Sequence, residues 1–376
     1  MNRFFKSAGV LFGLIIAVVV AGVLYITTKV DPNEFKPLIV SQFKQFTGFE
    51  ISIPGQLSWS FYPHLGMGVS EVKVSDPGVF TSQLKNLVVR VRFLPLLHKQ
   101  FDFSKLSIED LRLNELQATN VQAKLALTNQ VLSIQSLTAQ LYQGQLDSQA
   151  TINLQQATPV MHITGNLNQV EVADLIKGLS GIVPKFELSG IANFSGDLTT
   201  KGKQKSELIN QLNGQVGVAM SNGVVKGIDL AFYVNTAVAL INKEPLPQKP
   251  ENTQTEFGNL TGTAQVKDGI MTTNNLTLES PLFHASARGT IDLNNQSIDY
   301  HMDIISKIDP KANKLLALYG KAVPVRVTGS LSDPSIALDT LALMKEVGTE
   351  QLQRIGQEIQ KAIPEKANNF IKSLFH

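Results

Sequence analysis

The sequence has no cysteine. That removes disulfides, thiol nucleophiles and thiolate metal sites together, and it fits an oxidising compartment as well as a reducing one. Charge is scarce and balanced: 17% of the 376 residues are charged, with 33 Lys and Arg against 31 Asp and Glu. A net charge of +2 offers no electrostatic footprint for a phosphate backbone, which argues against nucleic acid as a partner. At 43% hydrophobic the chain is too apolar to be disordered, and it is long enough for one large or two medium domains.

Catalytic chemistry has little to work with. The six histidines, at positions 64, 98, 162, 284, 301 and 376, show no H-E-x-x-H or H-x-H spacing. There is no G-x-S-x-G elbow and no G-x-x-x-x-G-K-[ST] phosphate loop. Gly66-Met67-Gly68 begins like a dinucleotide loop, but Glu71 stands where the third glycine belongs. Asp299, His301 and Asp303 alternate along one strand and read as a solvent-facing ladder before they read as an acid–base cluster. We therefore expect a protein that is not an enzyme, with no metal and no cofactor.

What is present begins at the N-terminus. Residues 7–28 carry no charge, and as a helix they span about 33 Å, enough for a hydrocarbon core of about 30 Å. Arg3 and Lys6 precede them, so residues 1–6 are expected in the cytoplasm and the rest of the chain exported. A cleaved signal peptide is the competing reading. The stretch is longer than a usual signal core and no clear A-x-A site follows, which favours an uncleaved anchor that crosses once.

An amphipathic helix over 31–47 follows. Asp31 can cap it, Pro32 suits its first position, and Phe35, Leu38, Ile39, Phe43 and Phe46 fall on one face. That stripe either packs on the first strands or lies along the membrane surface.

From residue 49 to 338 the dominant period is two. Leu146, Ala150, Ile152 and Leu154 alternate with polar residues, as do Leu276 and Leu278, which is the pattern of antiparallel strands with one apolar face. Asn222-Gly223 and Asp268-Gly269 carry the signal of two-residue hairpin turns. A unit of glycine, one polar residue and an aliphatic residue recurs at Gly165, Gly196, Gly289 and Gly329. Short helices are expected over 172–179, 206–212 and 228–241, and a polar, proline-bearing loop over 242–255. Residues 339–376 revert to amphipathic helix, with Met344, Val347, Leu352, Ile355, Ile359 and Ile363 near a 3.6 spacing and a mixed polar face.

These residues carry a resemblance. Asp31-Pro32 through Ile39, then Thr47-Gly48, then Gly55, Trp59, Pro63 and Gly66 within the run from Gly55 to Gly66, resemble the opening of the AsmA family. The far half is similar as well: Asn222-Gly223, Gly227-Ile228-Asp229-Leu230, Thr255-Glu256-Phe257-Gly258, Asp268-Gly269, Gly289-Thr290-Ile291, and Val323 through Gly329. Phe49 departs from the basic residue usual after Thr-Gly, and the short middle marks a compact member.

The resemblance implies a single-pass inner-membrane protein of a Gram-negative bacterium, with its bulk in the periplasm. It implies a mainly β fold: an elongated, twisted antiparallel sheet forming an apolar groove, as in chorein-type lipid bridges, behind an N-terminal transmembrane helix and with a few amphipathic helices. Family members are linked to phospholipid movement, outer-membrane protein assembly and lipopolysaccharide levels. The implied partners are the membrane and phospholipid. The mixed face of residues 339–376 is expected to dock onto the end of the sheet, with the membrane or another periplasmic or outer-membrane protein as the alternative contact. Leu146, Ala150, Ile152, Leu154, Leu276 and Leu278 are the expected groove residues.

Overall fold

The computed structural model describes residues 31–47, 50–60, 66–76, 80–90, 101–179, 185–251, 253–307 and 321–347. The expected anchor over 7–28 lies outside them, as do Gly48, Phe49, Pro63 and residues 348–376. Among the described residues no helix is long and apolar enough to cross a membrane. The described chain is mainly β, with antiparallel strands and few helices. It divides into two compact units, Met1–Gln140 and Leu141–His376.

In the first unit Asp31 opens a single 3-10 turn, Pro32–Phe35, by accepting from the Asn33 N–H at 2.9 Å. That bond and the one from the Asn33 amide hold the Asp31 carboxyl below the usual carboxylate range. Helix α1, Lys36–Thr47, continues from the turn. Strands β1 (Glu50–Ser52) and β2 (Leu57–Ser60) share one partner, β3 (Gly66–Asp76): β1 pairs with Lys73–Ser75 and β2 with Gly66–Val69.

Gly55, between β1 and β2, donates its N–H to Glu71 O, and a Cβ there would fall 2.1 Å from Glu71 N. The turn before α1 is tied to β2, since Asn33 Oδ1 accepts from Leu57 N at 3.0 Å and the Phe35 ring meets Trp59 edge-on at 6.5 Å. These contacts place the start of the amphipathic segment on the first strands. Strands β4 (Phe80–Arg90), β5 (Phe101–Leu113), β6 (Leu116–Thr128) and β7 (Val131–Leu141) extend the meander. The row Met67, Val89, Leu106, Ala123, Leu137 runs apolar across it.

Among the described residues the second unit is a ten-strand antiparallel meander in which each strand pairs with its sequence neighbours. The first five strands are β8 (Gly144–Asn153), β9 (Val160–Glu171), β10 (Glu187–Lys201), β11 (Asn213–Lys226) and β12 (Gln254–Lys267). The others are β13 (Ile270–Glu279), β14 (Phe283–Asp292), β15 (Ser297–Ser306), β16 (Val323–Ser330) and β17 (Asp333–Leu338). Helices α2 (Val172–Gly178), α3 (Lys205–Asn210) and α4 (Leu230–Asn242) interrupt the meander, and α5 (Thr340–Val347) follows it.

Helix α4 sits where sequence periodicity puts it because both ends are defined. Asp229 caps it by accepting from Phe232 N at 3.1 Å, and Lys243 closes it in the left-handed region at φ 59°. The excursion that carries α4 leaves β11 at Gly227 and returns at Thr253, whose carbonyl accepts from Gly227 N at 2.7 Å.

One turn expectation needs correction. Asp268-Gly269 does link β12 to β13, with both φ angles positive. Asn222-Gly223 makes no hairpin: it lies inside β11 as a bulge, facing Gly190 of β10. The strand runs on because β12 pairs with β11 on both sides of the site, Ser221 with Asn259 and Gly223 with Phe257, so the left-handed Asn222 bends the strand without ending it.

Candidate functional site: an apolar sheet face with a small-residue trough

Side chains two apart share a face, and the register of the second unit aligns four cross-strand rows on one such face. In the first row Val170, Ala192, Met220 and Leu260 lead to Leu278, Ala285, Ile304 and Val323 without a polar residue. Helix α4 covers this row. Leu230, Val234, Ala237, Val238 and Ile241 join it in one core with α5's Leu343 and α2's Val172. Burying that many aliphatic side chains, at about 1.5–3 kcal/mol for each large one, makes α4 a fixed part of the fold. The hydroxyl of Tyr233 donates to Ile336 O at 3.0 Å and pins the helix to β17. Burial pushes the Tyr233 phenol up, and Asp229 adds to the shift.

The second row begins Leu146, Leu167, Phe194, Val218 and Gly262, and resumes beyond a bulge in β13 with Leu276, Ala287, Met302 and Val325. The fourth row begins Ala150, Ile163, Leu198 and Gly214, then continues with Val266, Met271, Ile291 and Ile298. Both are lined largely by branched or long aliphatic residues.

The third row, between those two, is small. It reads Ser148, Gly165, Gly196, Val216, Ala264, Thr273 and Gly289, and only then meets Tyr300. Low residues flanked mostly by high ones make a trough that crosses the strands, with one flank falling to glycine at β11 (Gly214, beside Val216) and at β12 (Gly262). From β8 to β12 it covers four strand spacings, about 19 Å. Two bulges keep the rows aligned, one at Gln169 in β9 (φ 56°) and one between Thr273 and Leu276 in β13.

The expected groove residues fall mostly on this face. Leu146, Ala150, Ile152, Leu276 and Leu278 share it, with Leu278 under the helices and the others outside the buried core. Leu154 lies past the end of β8, 43% exposed, and belongs to no row. Ile163, 44% exposed, marks the open stretch of the face near β8 and β9. Leu167, Phe194, Gly196, Val216 and Tyr300 were missed from the sequence. The one signal for them was the recurring glycine unit, since Gly165, Gly196 and Gly289 all stand in the small row, while Gly329 stands in the next.

The opposite face is polar. Arg326 pairs with Asp299 at 3.0 Å and Arg288 with Asp303 at 3.3 Å, so the Asp–His–Asp strand is an ion-paired ladder. His162 lies 2.7 Å from Asp197 on the same side. A shallow depression of about 400 Å³ on this face is lined by Asn193, Thr261, Thr263 and Asn275, whose amides and hydroxyls already bond to one another or to neighbouring strands. Among the described residues no cluster of His, Asp and Glu is placed to hold a metal ion.

Among curated proteins the chain is 20% identical over 251 residues to "Protein AsmA" of Escherichia coli (strain K12). The match takes in 66% of this chain and 40% of that protein, so the chain spans well under half the length of the relative. No solved structure matches it. The AsmA family model matches residues 1–115 and 101–276, most of the sequence and all of β1 to β12, and the chain belongs to the AsmA family.

Proposed function

We propose that this protein holds or conducts phospholipid on the apolar face of its second unit, as an inner-membrane-anchored periplasmic component of outer-membrane biogenesis. The observation that supports the reading is the trough: an apolar sheet face whose helical core lies along the first row and reaches the second at Val325, and whose third row is a small-residue floor between largely aliphatic rows. A sheet face of this kind needs a partner. Acyl chains match its chemistry, since they bring apolar surface and no hydrogen-bonding demand.

The uncharged stretch over 7–28, with Arg3 and Lys6 before it, supports the anchored topology. The family resemblance supports the place of action. The mixed charge pattern of the sequence over residues 339–376 supports a docking role toward another envelope protein.

The rival reading is a scaffold for outer-membrane protein assembly or lipopolysaccharide control that carries no lipid. Native mass spectrometry of the full chain, extracted in a detergent that is not a phospholipid, separates the two. Stoichiometric co-purifying phospholipid is the expected result. A lipid-free chain that still complements a deletion strain would leave the scaffold.

A further inference from the structure

The trough has an end, and Tyr300 makes it. We propose that Tyr300 is the stop that fixes how far an acyl chain penetrates, an inference that rests on the lipid reading of the same face.

Three observations meet at this residue. Thr273, Gly289 and Tyr300 stand side by side in the small row, on β13, β14 and β15. The Tyr300 ring lies over Gly289, where an added Cβ would fall 2.8 Å from Tyr300 Cγ and 2.6 Å from its Cα. The phenol then continues toward the side chain of Thr273 on β13. One side chain thus lies along the trough and fills the floor of three strands. It is only 6% exposed.

Upstream of the ring the floor is kept open at a cost that packing does not explain. A glycine inside a strand weakens it relative to alanine, and some glycines here are forced. At Gly165 a Cβ would sit 2.8 Å from Asp147 O, so the neighbouring backbone excludes any side chain. Gly196 is different. Its backbone needs no positive φ, and a Cβ there would meet nothing nearer than Leu198 Cδ1 at 3.9 Å and Val216 Cγ1 at 4.0 Å. The space above Gly196 is empty although a side chain would fit.

The free floor from Ser148 to Ala264 is about 19 Å long. That is comparable to the roughly 15 Å covered by the chains of one leaflet in a hydrocarbon core of about 30 Å. The ligand class that follows is one membrane-length acyl chain, lying across β8 to β12 with its methyl end against Tyr300. Removing the ring would open three further strand spacings, from β12 to β15, about 14 Å.

The test uses the full-length protein in vesicles containing a phospholipid with a diazirine at the terminal carbon of one chain. After illumination the adducts are mapped by peptide mass spectrometry. In the unaltered protein adducts are expected on Val216, Ala264 and their row neighbours, with none on Val327 or Ile336 beyond the ring. In Tyr300→Leu, which keeps an apolar side chain of modest size, adducts on Val327 should rise more than tenfold, because each further methylene seated favours the deeper position about fourfold. Tyr300→Phe keeps the ring and should leave the pattern unchanged.

Gly196→Leu fills the open floor without touching Tyr300 and should abolish adducts at Val216 and Ala264. Adducts on Val327 in the unaltered protein, or an unchanged pattern in Tyr300→Leu, would overturn the stop while leaving the lipid reading in place. Adducts that avoid this face altogether, or that ignore Gly196→Leu, would overturn the lipid reading of the trough itself. Circular dichroism of each variant separates loss of fold from loss of depth. If Tyr300→Leu does not fold, Tyr300→Met carries the same comparison.

Discussion

Gly223 lies directly beneath the ring of Phe257. The two are register partners on β11 and β12, and a Cβ added at Gly223 would fall 2.0 Å from Phe257 Cζ. Phe257 is 3% exposed and belongs to the core under α4, so the ring has no free direction in which to retreat. Gly223→Ala should therefore overpack this site and cost about 1–3 kcal/mol. Chemical denaturation of the purified chain checks it. Adding Phe257→Leu to the alanine variant should recover part of the loss, whereas Phe257→Leu alone destabilises.

That pair also shows where sequence reasoning fell short. Asn222-Gly223 has the composition of a hairpin turn, and only the pairing of β11 with β12 on both sides of it reveals a bulge. The converse occurs at Asn129-Gln130, where both φ angles are positive and a turn links β6 to β7 although no glycine advertises it. Alternation did place Leu146, Ala150 and Ile152 on a shared face, because period two is a local property of one strand. The trough was out of reach, because Gly165, Gly196 and Val216 come together only through register across three strands, and the Gln169 bulge shifts that register by one residue. The seat of α4 was legible as a helix, yet its position over Ala192, Ala285 and Ile304 is tertiary information.

Thr255 holds the foot of α4, and its loss should loosen that helix selectively. It is 4% exposed; its hydroxyl donates to Ile228 O at 2.9 Å and accepts from Leu230 N at 3.0 Å. Thr255→Val keeps the shape and leaves both backbone groups without this partner in a buried setting. The expected cost is about 1–3 kcal/mol. Hydrogen exchange at the Leu230 amide should accelerate, while amides of β8 and β9 keep their protection.

Acid should weaken one corner of the second unit in a defined direction. The Glu279 carboxyl is held below the usual carboxylate range, first by Lys307 at 2.5 Å and then by His284 at 2.5 Å. A folded-state pKa below the unfolded value, near 4.3, means the carboxylate contributes stability above that value. The contribution is lost as pH falls through the lower, folded value. The melting temperature of Glu279→Gln should accordingly lie below that of the unaltered protein at neutral pH, and the gap should close as the solution is acidified below about pH 4. A gap independent of pH would assign the effect to packing.

Ile152 stands on the open part of the apolar face, half-buried on β8 opposite Met161. Ile152→Asp places a carboxylate where the lipid reading puts an acyl chain, and an unpaired charge in apolar surroundings is costly. Without lipid the same position reaches water, so the fold should survive. The expected result is loss of co-purifying phospholipid with an unchanged far-ultraviolet spectrum. Full lipid content in this variant would move the binding site off the face.

The C-terminal segment should divide at residue 347. Helix α5 belongs to the core: Asp339 accepts from Ala342 N at 3.0 Å to cap it, and Leu343, 2% exposed, packs with Val323 and Val325 of β16. Removing residues 340–376 takes that side chain away and leaves a cavity against the sheet. Buried leucine truncations cost about 2.7–5.0 kcal/mol, so this variant should lose stability and, with the core loosened, lipid as well. Removing only residues 348–376 spares Leu343 and should leave stability and lipid loading intact. If those residues dock a partner that receives the cargo, the shorter truncation should load lipid normally yet fail to complement a deletion strain. Full complementation by the shorter truncation would end the docking proposal and assign residues 348–376 no part in hand-off.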